Sequence, residues 1–224
     1  MALRGKGMLI TYTEVKRAEE RDFNEWYNRE HIDERVNLPG FHRARRYVSL
    51  KGSPKYIATY ECDSVEDLAT PGYLHSLANQ TAWSQAVMAK FTHFTRMTLR
   101  LQLDLTHGEG GALTTVRFTP NPAMRRQLTE WLTTSLPPAI AKPGMIGAAV
   151  LENDVEIVNA PAAQGSMDHP RADQAEWIAL LEGADPTATS RTAHTLFKAA
   201  TLKQFGVEQP AIVGTYRFLF GNAR

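Results

Sequence analysis

The sequence predicts an α+β protein made of two copies of a βαββαβ unit, and three observations support this fold class. Hydrophobic residues alternate between the period of two typical of strands and the longer period of helices, in an order that occurs twice. A Pro-Gly pair at Pro39 recurs at Pro143, and each pair follows a tryptophan, Trp26 or Trp131, at nearly the same distance. A glycine-rich linker, THGEGG at 106–111, separates the two copies.

The elements of the first copy follow from these periodicities. A strand comes first, and then a helix with Phe23, Trp26 and Tyr27 on one face, which ends at the Pro-Gly pair. Two strands joined as a hairpin, a second helical region and a last strand follow. The second helical region opens with a capping box, Ser64 and Asp67, and is predicted to break at Pro71. These elements are predicted at 7–13, from about 18 to 39, at 42–50 and 56–62, at 64–88 and at 92–103.

The second copy repeats the same order. Its hairpin strand WIALLE matches YIATYE of the first copy. The matching segments are 113–119, 124–136, 177–182 and 212–220. The copies differ mainly by a longer segment, which predicts an inserted surface loop at about 152–175. We therefore predict two ferredoxin-like domains, residues 1–105 and residues 112–224.

A four-stranded sheet with helices on one side leaves its other face uncovered. Two such sheets bury these faces when they pack against each other, as the subunits of a homodimer do. The tandem repeat therefore predicts sheet-to-sheet packing within one chain.

Charge and composition exclude several classes of protein. The 25 basic and 24 acidic residues give a net charge of +1, which provides no excess for holding a nucleic acid. The first residues contain only a short apolar segment, so we expect neither secretion nor membrane insertion, and a cytoplasmic protein. The single cysteine, Cys62, excludes an internal disulfide. No metal-ligand spacing, P-loop or dinucleotide fingerprint is present, and no cofactor is predicted.

One histidine is the candidate for catalysis. His31 follows the aromatic helical face, and an imidazole exchanges a proton near neutral pH. We therefore predict that His31 is a general base. Tyr12, Tyr27, Tyr60 and His93 are predicted to shape its pocket and bind substrate.

His31 also has a structural interpretation. A histidine near a helix end often bonds carbonyl groups or a neighbouring carboxylate, and Glu30 and Glu34 lie nearby on the same helix. The second copy has Ser135 or Leu136 near the matching position, so any proton chemistry is predicted to belong to the first copy.

Three arginines follow in the next strand. Alternation directs Arg46 to the opposite face from Arg43 and Arg45, for which a solvated edge is predicted.

These residues resemble a known family, the EthD-like proteins of the dimeric α+β barrel superfamily. The resemblance covers nearly all of the first half, and its pattern has an aromatic helix, a histidine, an L-P-G-F segment and an R-Y pair. The matching residues are Phe23, Trp26, Tyr27, His31, Leu38 to Phe41, Arg46 and Tyr47.

The resemblance implies a fold and a range of chemistries. The superfamily includes cofactor-free monooxygenases of polycyclic aromatics, polyketide cyclases, lactone isomerases and haem-binding enzymes. It therefore implies an intrachain α+β barrel and a cofactor-independent enzyme acting on a small aromatic or polyketide-like molecule. A non-catalytic ligand-binding protein and a purely structural barrel are the alternatives. Haem stays a remote possibility, the expected partner is a small molecule, and either a monomer or a homodimer is expected.

Overall fold

The computed structural model describes residues 3–50, 54–159 and 175–224. The chain divides into two compact units. The first consists of Arg4–Arg100, Asp154–Ala172 and Leu219–Arg224, and the second of Met1–Leu3, Leu101–Asn153 and Asp173–Phe218.

The first repeat has the element order βαββαβ, with each helical region divided into short segments. The strands are β1 (Gly7–Val15), β2 (Phe41–Ser49), β3 (Tyr56–Cys62) and β4 (Phe91–Asp104). The helices are α1 (Glu20–Trp26), α2 (Ile32–Val36), α3 (Pro71–Ala78) and α4 (Ala82–Met88). A π turn, Tyr27–His31, joins α1 to α2.

The second repeat has the same order with one long first helix. Its strands are β5 (Ala112–Phe118), β6 (Met145–Asn153), β7 (Trp177–Gly183) and β8 (Ile212–Ala223). Its helices are α5 (Arg125–Ile140), α6 (Val155–Asn159), α7 (Pro186–Leu196) and α8 (Ala199–Leu202).

Each repeat forms a four-stranded antiparallel sheet. The strand order is β4-β1-β3-β2 in the first repeat and β8-β5-β7-β6 in the second. Hydrogen bonding continues through the complete order β1-β3-β2-β8-β5-β7-β6-β4, which is that of a closed barrel. The predicted α+β barrel with two ferredoxin-like repeats is confirmed.

Local signals in the sequence agree with most element boundaries. The capping box is present, because the backbone N–H of Ser64 donates to the Asp67 carboxylate at 2.8 Å. The predicted break at Pro71 is present, because a 3₁₀ helix, Val65–Ala69, ends before it and α3 begins at Pro71, where a first-turn proline needs no N–H partner. Of the predicted inserted loop, residues 155–159 form α6, and 160–174 lie outside the described residues.

The aromatic face of the first helix forms the centre of the first unit's core. Phe23, Trp26 and Tyr27 are each at most 3% exposed. The indole N–H of Trp26 donates to Ser84 Oγ on α4 at 3.0 Å, and that hydroxyl donates to Glu30 Oε1 at 3.2 Å. These bonds connect α4 to the π turn.

The buried guanidinium of Arg46 holds the π turn against β2. The side chain is 2% exposed, and its Cζ lies 3.9 Å from the centre of the Tyr27 ring. Its Nη1 and Nη2 atoms donate to the side-chain oxygens of Asn28 and Asn24 at 3.0 and 2.9 Å. Within the described part of the chain no carboxylate pairs with this guanidinium, so two amides and an aromatic face satisfy it.

The prediction of a solvated edge for Arg43 and Arg45 is wrong. Both side chains are buried, and both bond Glu61 on β3. Arg43 does so through two parallel hydrogen bonds of 2.9 Å. Alternation was right to separate them from Arg46, but periodicity alone does not reveal that this face of the sheet is also buried.

We expect Arg46→Lys to destabilise the protein by roughly 2–4 kcal/mol, because an ammonium loses the planar fork and the stacking on Tyr27. Urea denaturation measures the loss. The matched control is Arg29→Lys, whose side chain is 72% exposed and which we expect to change stability by less than about 0.5 kcal/mol. Equal stability of the two variants would contradict the role given to Arg46.

Candidate functional site

The π turn places His31 against two aromatic rings. A π turn bonds residue i to residue i+5, so the fifth residue after Trp26 lies directly above it. The imidazole stacks on the Trp26 ring at 4.3 Å and meets the Tyr27 ring edge-on at 5.2 Å. A regular α-helix would direct residue 31 away from Trp26, so the π turn determines where the imidazole lies.

A small cavity of about 60 Å³ opens beside His31. Its inner wall is buried, and its outer wall, toward α3, α4 and the start of β4, is partly exposed. The lining residues are Leu9, Thr11, Trp26, Tyr27, His31, Arg35, Tyr60, Tyr73, Leu77, Gln80, Met88, Phe91, Phe94 and Arg96. This volume has room for about two water molecules and is well below the roughly 300 Å³ at the lower end of ligand pockets.

The register of the sheet brings three polar side chains to this cavity. Thr11 on β1 is paired with Arg96 on β4. Leu9, two residues earlier on the same face, is paired with Tyr60 on β3. The rings of Tyr60 and His31 lie 6.2 Å apart at an interplanar angle of 89°.

Several buried polar atoms around the cavity have no hydrogen-bond partner. These atoms are Thr11 Oγ1, His31 Nδ1, Tyr60 Oη, and Arg96 Nε and Nη1. A buried polar atom without a partner costs about 1–3 kcal/mol, and native proteins contain few of them. Their concentration here marks a place where a polar ligand or water would be stabilised.

The imidazole of His31 is held in its neutral form. Burial lowers its pKa well below the usual range, and the positive charges of Arg35 and Arg46 add to this effect. The Glu34 carboxylate lies 3.8 Å from Nδ1, which is longer than a hydrogen bond. The carboxylate bond of the structural interpretation is therefore not formed with Glu34, while Glu30 accepts from Thr81 Oγ1 at 2.6 Å.

Tyr60 is held in its protonated form. Burial is the main cause that raises the pKa of its hydroxyl, and the neighbouring Tyr27 adds to it. The Tyr27 hydroxyl lies close to that of Tyr60, but the two do not form a hydrogen bond of good geometry. The Tyr60 hydroxyl is therefore a donor available to a bound molecule.

The structure brings together three of the five predicted site residues, His31, Tyr27 and Tyr60. Tyr12 is buried on the opposite face of β1 from Leu9 and Thr11. His93 is exposed, and its Nε2 lies 3.0 Å from Thr95 Oγ1. Neither Tyr12 nor His93 lines the cavity, so their predicted role there has no support from the geometry.

Several polar residues of the cavity were not predicted from the sequence, among them Thr11, Arg35 and Arg96. Two of these had a detectable signal. Arg35 follows His31 by four residues, the spacing that places helical side chains on one face. Arg96 alternates in phase with Phe94 on β4, on the face opposite to His93.

The second repeat has no equivalent imidazole at the matching position. Residues 135–136 lie in α5, and Leu136 is fully buried in the core. His194 on α7 and His75 on α3 are both exposed. His169 lies outside the described residues.

Sequence comparison gives no assignment, because no family model and no curated protein matches the chain. Comparison with solved structures shows which proteins share the fold. An anthrone oxidase-like protein is similar over 100% of this chain and 95% of its own, with a TM-score of 0.66 and 12% identity. A proposed monooxygenase from Lactobacillus acidophilus is similar over 97% and 96%, with a TM-score of 0.61 and 12% identity.

A third solved structure extends this likeness to another kind of protein. A heme-binding protein from Thermus thermophilus covers 98% of this chain and 93% of its own, with a TM-score of 0.56 and 12% identity. The chain has the fold of the dimeric α+β barrel superfamily. At such low identities these likenesses establish the fold and not the activity. No helix in the described ranges is long and apolar enough to span a membrane.

A haem does not fit beside His31. The Trp26 ring covers one face of the imidazole at 4.3 Å, and the adjoining cavity holds about 60 Å³. The iron lies at the centre of the macrocycle, so ligation would require the whole ring to enter this space. The described residues also contain no group of three His, Cys, Asp or Glu side chains that could hold a metal ion.

Addition of haemin should therefore give no Soret band that depends on His31, because the macrocycle cannot approach the imidazole. Absorption spectra of the wild type and of His31→Ala with equimolar haemin measure this. A band that the wild type shows and the variant lacks would contradict the expectation.

The lowered pKa of His31 predicts a specific dependence of stability on pH. The unfolded chain takes up this proton near the ordinary value of 6.5, whereas the folded protein takes it up only at lower pH. The contribution of neutral His31 is therefore complete above the unfolded pKa and is lost as the pH falls toward the folded pKa. Between these two pKa values, we expect the free energy of unfolding of the wild type to fall by up to about 1.4 kcal/mol per pH unit more than that of His31→Gln.

Urea denaturation at several pH values between neutrality and about pH 5 measures this difference. The control is His75→Gln, because His75 is exposed. The control should keep the slope of the wild type. If the free energy of unfolding changes with pH equally in the wild type and in His31→Gln, the pKa of His31 is not lowered by folding.

Proposed function

We propose that this protein is a cofactor-independent enzyme that removes a proton from a small aromatic or polyketide-like molecule, with His31 as the general base. One observation carries the proposal. A neutral imidazole lies beside a cavity whose walls hold several polar atoms without partners. A histidine with a purely structural role does not require polar atoms without partners around it. A general base requires such groups, because they bind and polarise its substrate.

The proton would move from the substrate to a ring nitrogen of His31. Removal of a proton from an acidic C–H or phenolic O–H leaves negative charge on a conjugated oxygen of the substrate. The protonated hydroxyl of Tyr60 and the hydroxyl of Thr11 are donors that can stabilise this oxyanion. The low pKa of His31 keeps it ready to accept a proton at neutral pH and favours a substrate of similarly low pKa.

Proton removal is the first step shared by the reaction types that the resemblance implies. Oxygenation of an activated aromatic, polyketide cyclisation and lactone isomerisation can each begin with a carbanion or enolate. The names of the similar structures, anthrone oxidase-like and monooxygenase, favour oxygenation. The carbanion would then give its electron pair to dioxygen in a new C–O bond, and the resulting peroxide anion would take the proton back from His31.

One observation favours the non-catalytic alternative. The cavity of about 60 Å³ is too small for an aromatic ring. Four partly exposed side chains form its outer wall, namely Leu77, Met88, Phe91 and Phe94. Rotamer changes of Met88 and Leu77 would admit a ring, since Met88 is unbranched and flexible and both side chains are partly exposed. If this outer wall stays closed in solution, no aromatic ring can enter the cavity, and the protein is a non-catalytic barrel.

The proposal predicts that His31→Ala lowers turnover by roughly 10²- to 10⁴-fold, as expected for loss of a general base. Anthrone is the first probe, with oxygen uptake as the measurement. A thermal-shift screen of aromatic and polyketide-like molecules extends the search to other ligands. His75→Ala is the matched control, because it removes an exposed imidazole from the same unit.

Two results would oppose the proposal. If His31→Ala turns over the probe as fast as the wild type, His31 is not the base. If no aromatic molecule shifts the melting temperature and His31→Ala only lowers it, His31 is a structural residue and the barrel is non-catalytic.

A further inference from the structure

We propose that the cavity beside His31 binds a carboxylate group of the ligand through Arg35 and Arg96. This inference rests on the proposed function of the same site and names the substrate class as a small aromatic carboxylic acid. It follows from two guanidinium groups that line one small cavity without a counter-charge.

Arg35 is deeply buried and lacks an acidic partner. Its side chain is 3% exposed, Nη1 donates to Ser76 Oγ, and Cζ lies 5.9 Å from the centre of the Tyr73 ring. Within the residues that the structure describes, no carboxylate oxygen lies within ion-pair distance of it. A buried charge without a counter-charge is unfavourable, so the position favours an anionic ligand.

Arg96 reaches the same cavity from β4. Its Nη2 donates to the Tyr73 hydroxyl at 3.2 Å, while Nε and Nη1 are buried and unpartnered. Nε and Nη1 lie on different edges of the guanidinium, and each can donate a hydrogen bond to an anionic oxygen. Tyr73 accepts from Arg96, so its own hydroxyl proton stays available to the same ligand.

Other buried arginines of the first unit show that these two are exceptional. Arg43 and Arg45 share the carboxylate of Glu61. Arg46 has no carboxylate, but two asparagine oxygens and the Tyr27 ring satisfy it. Arg96 differs from these three arginines, because its Nε and Nη1 line the cavity and have no partner.

The carboxylate of Glu34 is a candidate counter-charge for Arg35. The charge of Arg35 acts on Glu34, yet burial outweighs it and raises the pKa of this carboxyl. Within the described residues Glu34 forms no ion pair with Arg35, and its side chain, 32% exposed, does not line the cavity.

The size of the cavity fits the head group of an acid. A volume of about 60 Å³ accommodates a carboxylate, which is about as large as two waters, but not the ring attached to it. The ring would lie at the partly exposed apolar wall formed by Phe91, Phe94 and Met88. His31 would then face the part of the ligand nearest to its carboxylate.

The test compares benzoate with benzamide, a neutral molecule of the same shape, by calorimetric titration at constant ionic strength. We expect the wild type to bind benzoate at least about 10-fold more tightly than benzamide. Arg96→Gln should weaken benzoate binding by roughly 10- to 100-fold and leave benzamide binding nearly unchanged. Arg96→Lys keeps the charge but loses the guanidinium geometry, so its affinity for benzoate should lie between those of the wild type and Arg96→Gln.

Arg29→Gln is the matched control, because it removes the same charge from an exposed position in the same unit. It should bind benzoate as the wild type does. Circular dichroism checks that the Arg96 variants fold, and Arg96→Lys keeps the test decisive if Arg96→Gln does not. Equal binding of benzoate and benzamide by the wild type, or wild-type affinity for benzoate in a folded Arg96 variant, would overturn the proposal.

The measurement separates this inference from the proposed function. Loss of benzoate binding in Arg96→Gln, together with unchanged turnover in His31→Ala, would support the anion site and reject the base. Loss of turnover in His31→Ala with equal benzoate affinity in the folded Arg96 variants would reject the anion site alone.

Discussion

The candidate site depends on one buried cation, the guanidinium of Arg46. It stacks on Tyr27 and bonds Asn24 and Asn28, so it joins β2 to the two helical turns around Tyr27. That attachment supports the π turn, and the π turn in turn directs His31 onto Trp26. Arg46 also contributes the positive charge that helps to keep His31 neutral. A single side chain thus influences both the position and the protonation state of the proposed base.

Stability and function make opposite demands on the residues around the cavity. A sequence selected for stability alone would pair Arg35 and Arg96 with carboxylates and satisfy Thr11 and Tyr60, as the same sheet does for Arg43 through Glu61. Unpaired donors reduce the free energy of unfolding, and such costs concentrate at functional sites. The unusual polarity of this cavity is therefore better explained by a ligand than by folding.

Sequence patterns do not identify which residues surround His31. Tyr12 is predicted to shape the pocket, yet strand alternation places it on the opposite face of β1 from Thr11. Arg43 and Arg45 were expected at a solvated edge because charged residues are usually exposed. Periodicity distinguishes the two faces of a strand, but it does not say what covers each of them.

The sequence by itself determined the element order, the repeat and the choice of His31, because hydrophobic periods, Pro-Gly pairs and the missing imidazole of the second copy are local features of the chain. Tertiary structure alone decided the π turn at Tyr27–His31, since an α-helical and a π-helical path share one pattern of aromatic residues. It also decided the meeting of Arg35 with Arg96 at one cavity. Arg35 and Arg96 are 61 positions apart in the sequence, and they become neighbours only through strand register and helix packing. A local sequence pattern does not contain this information.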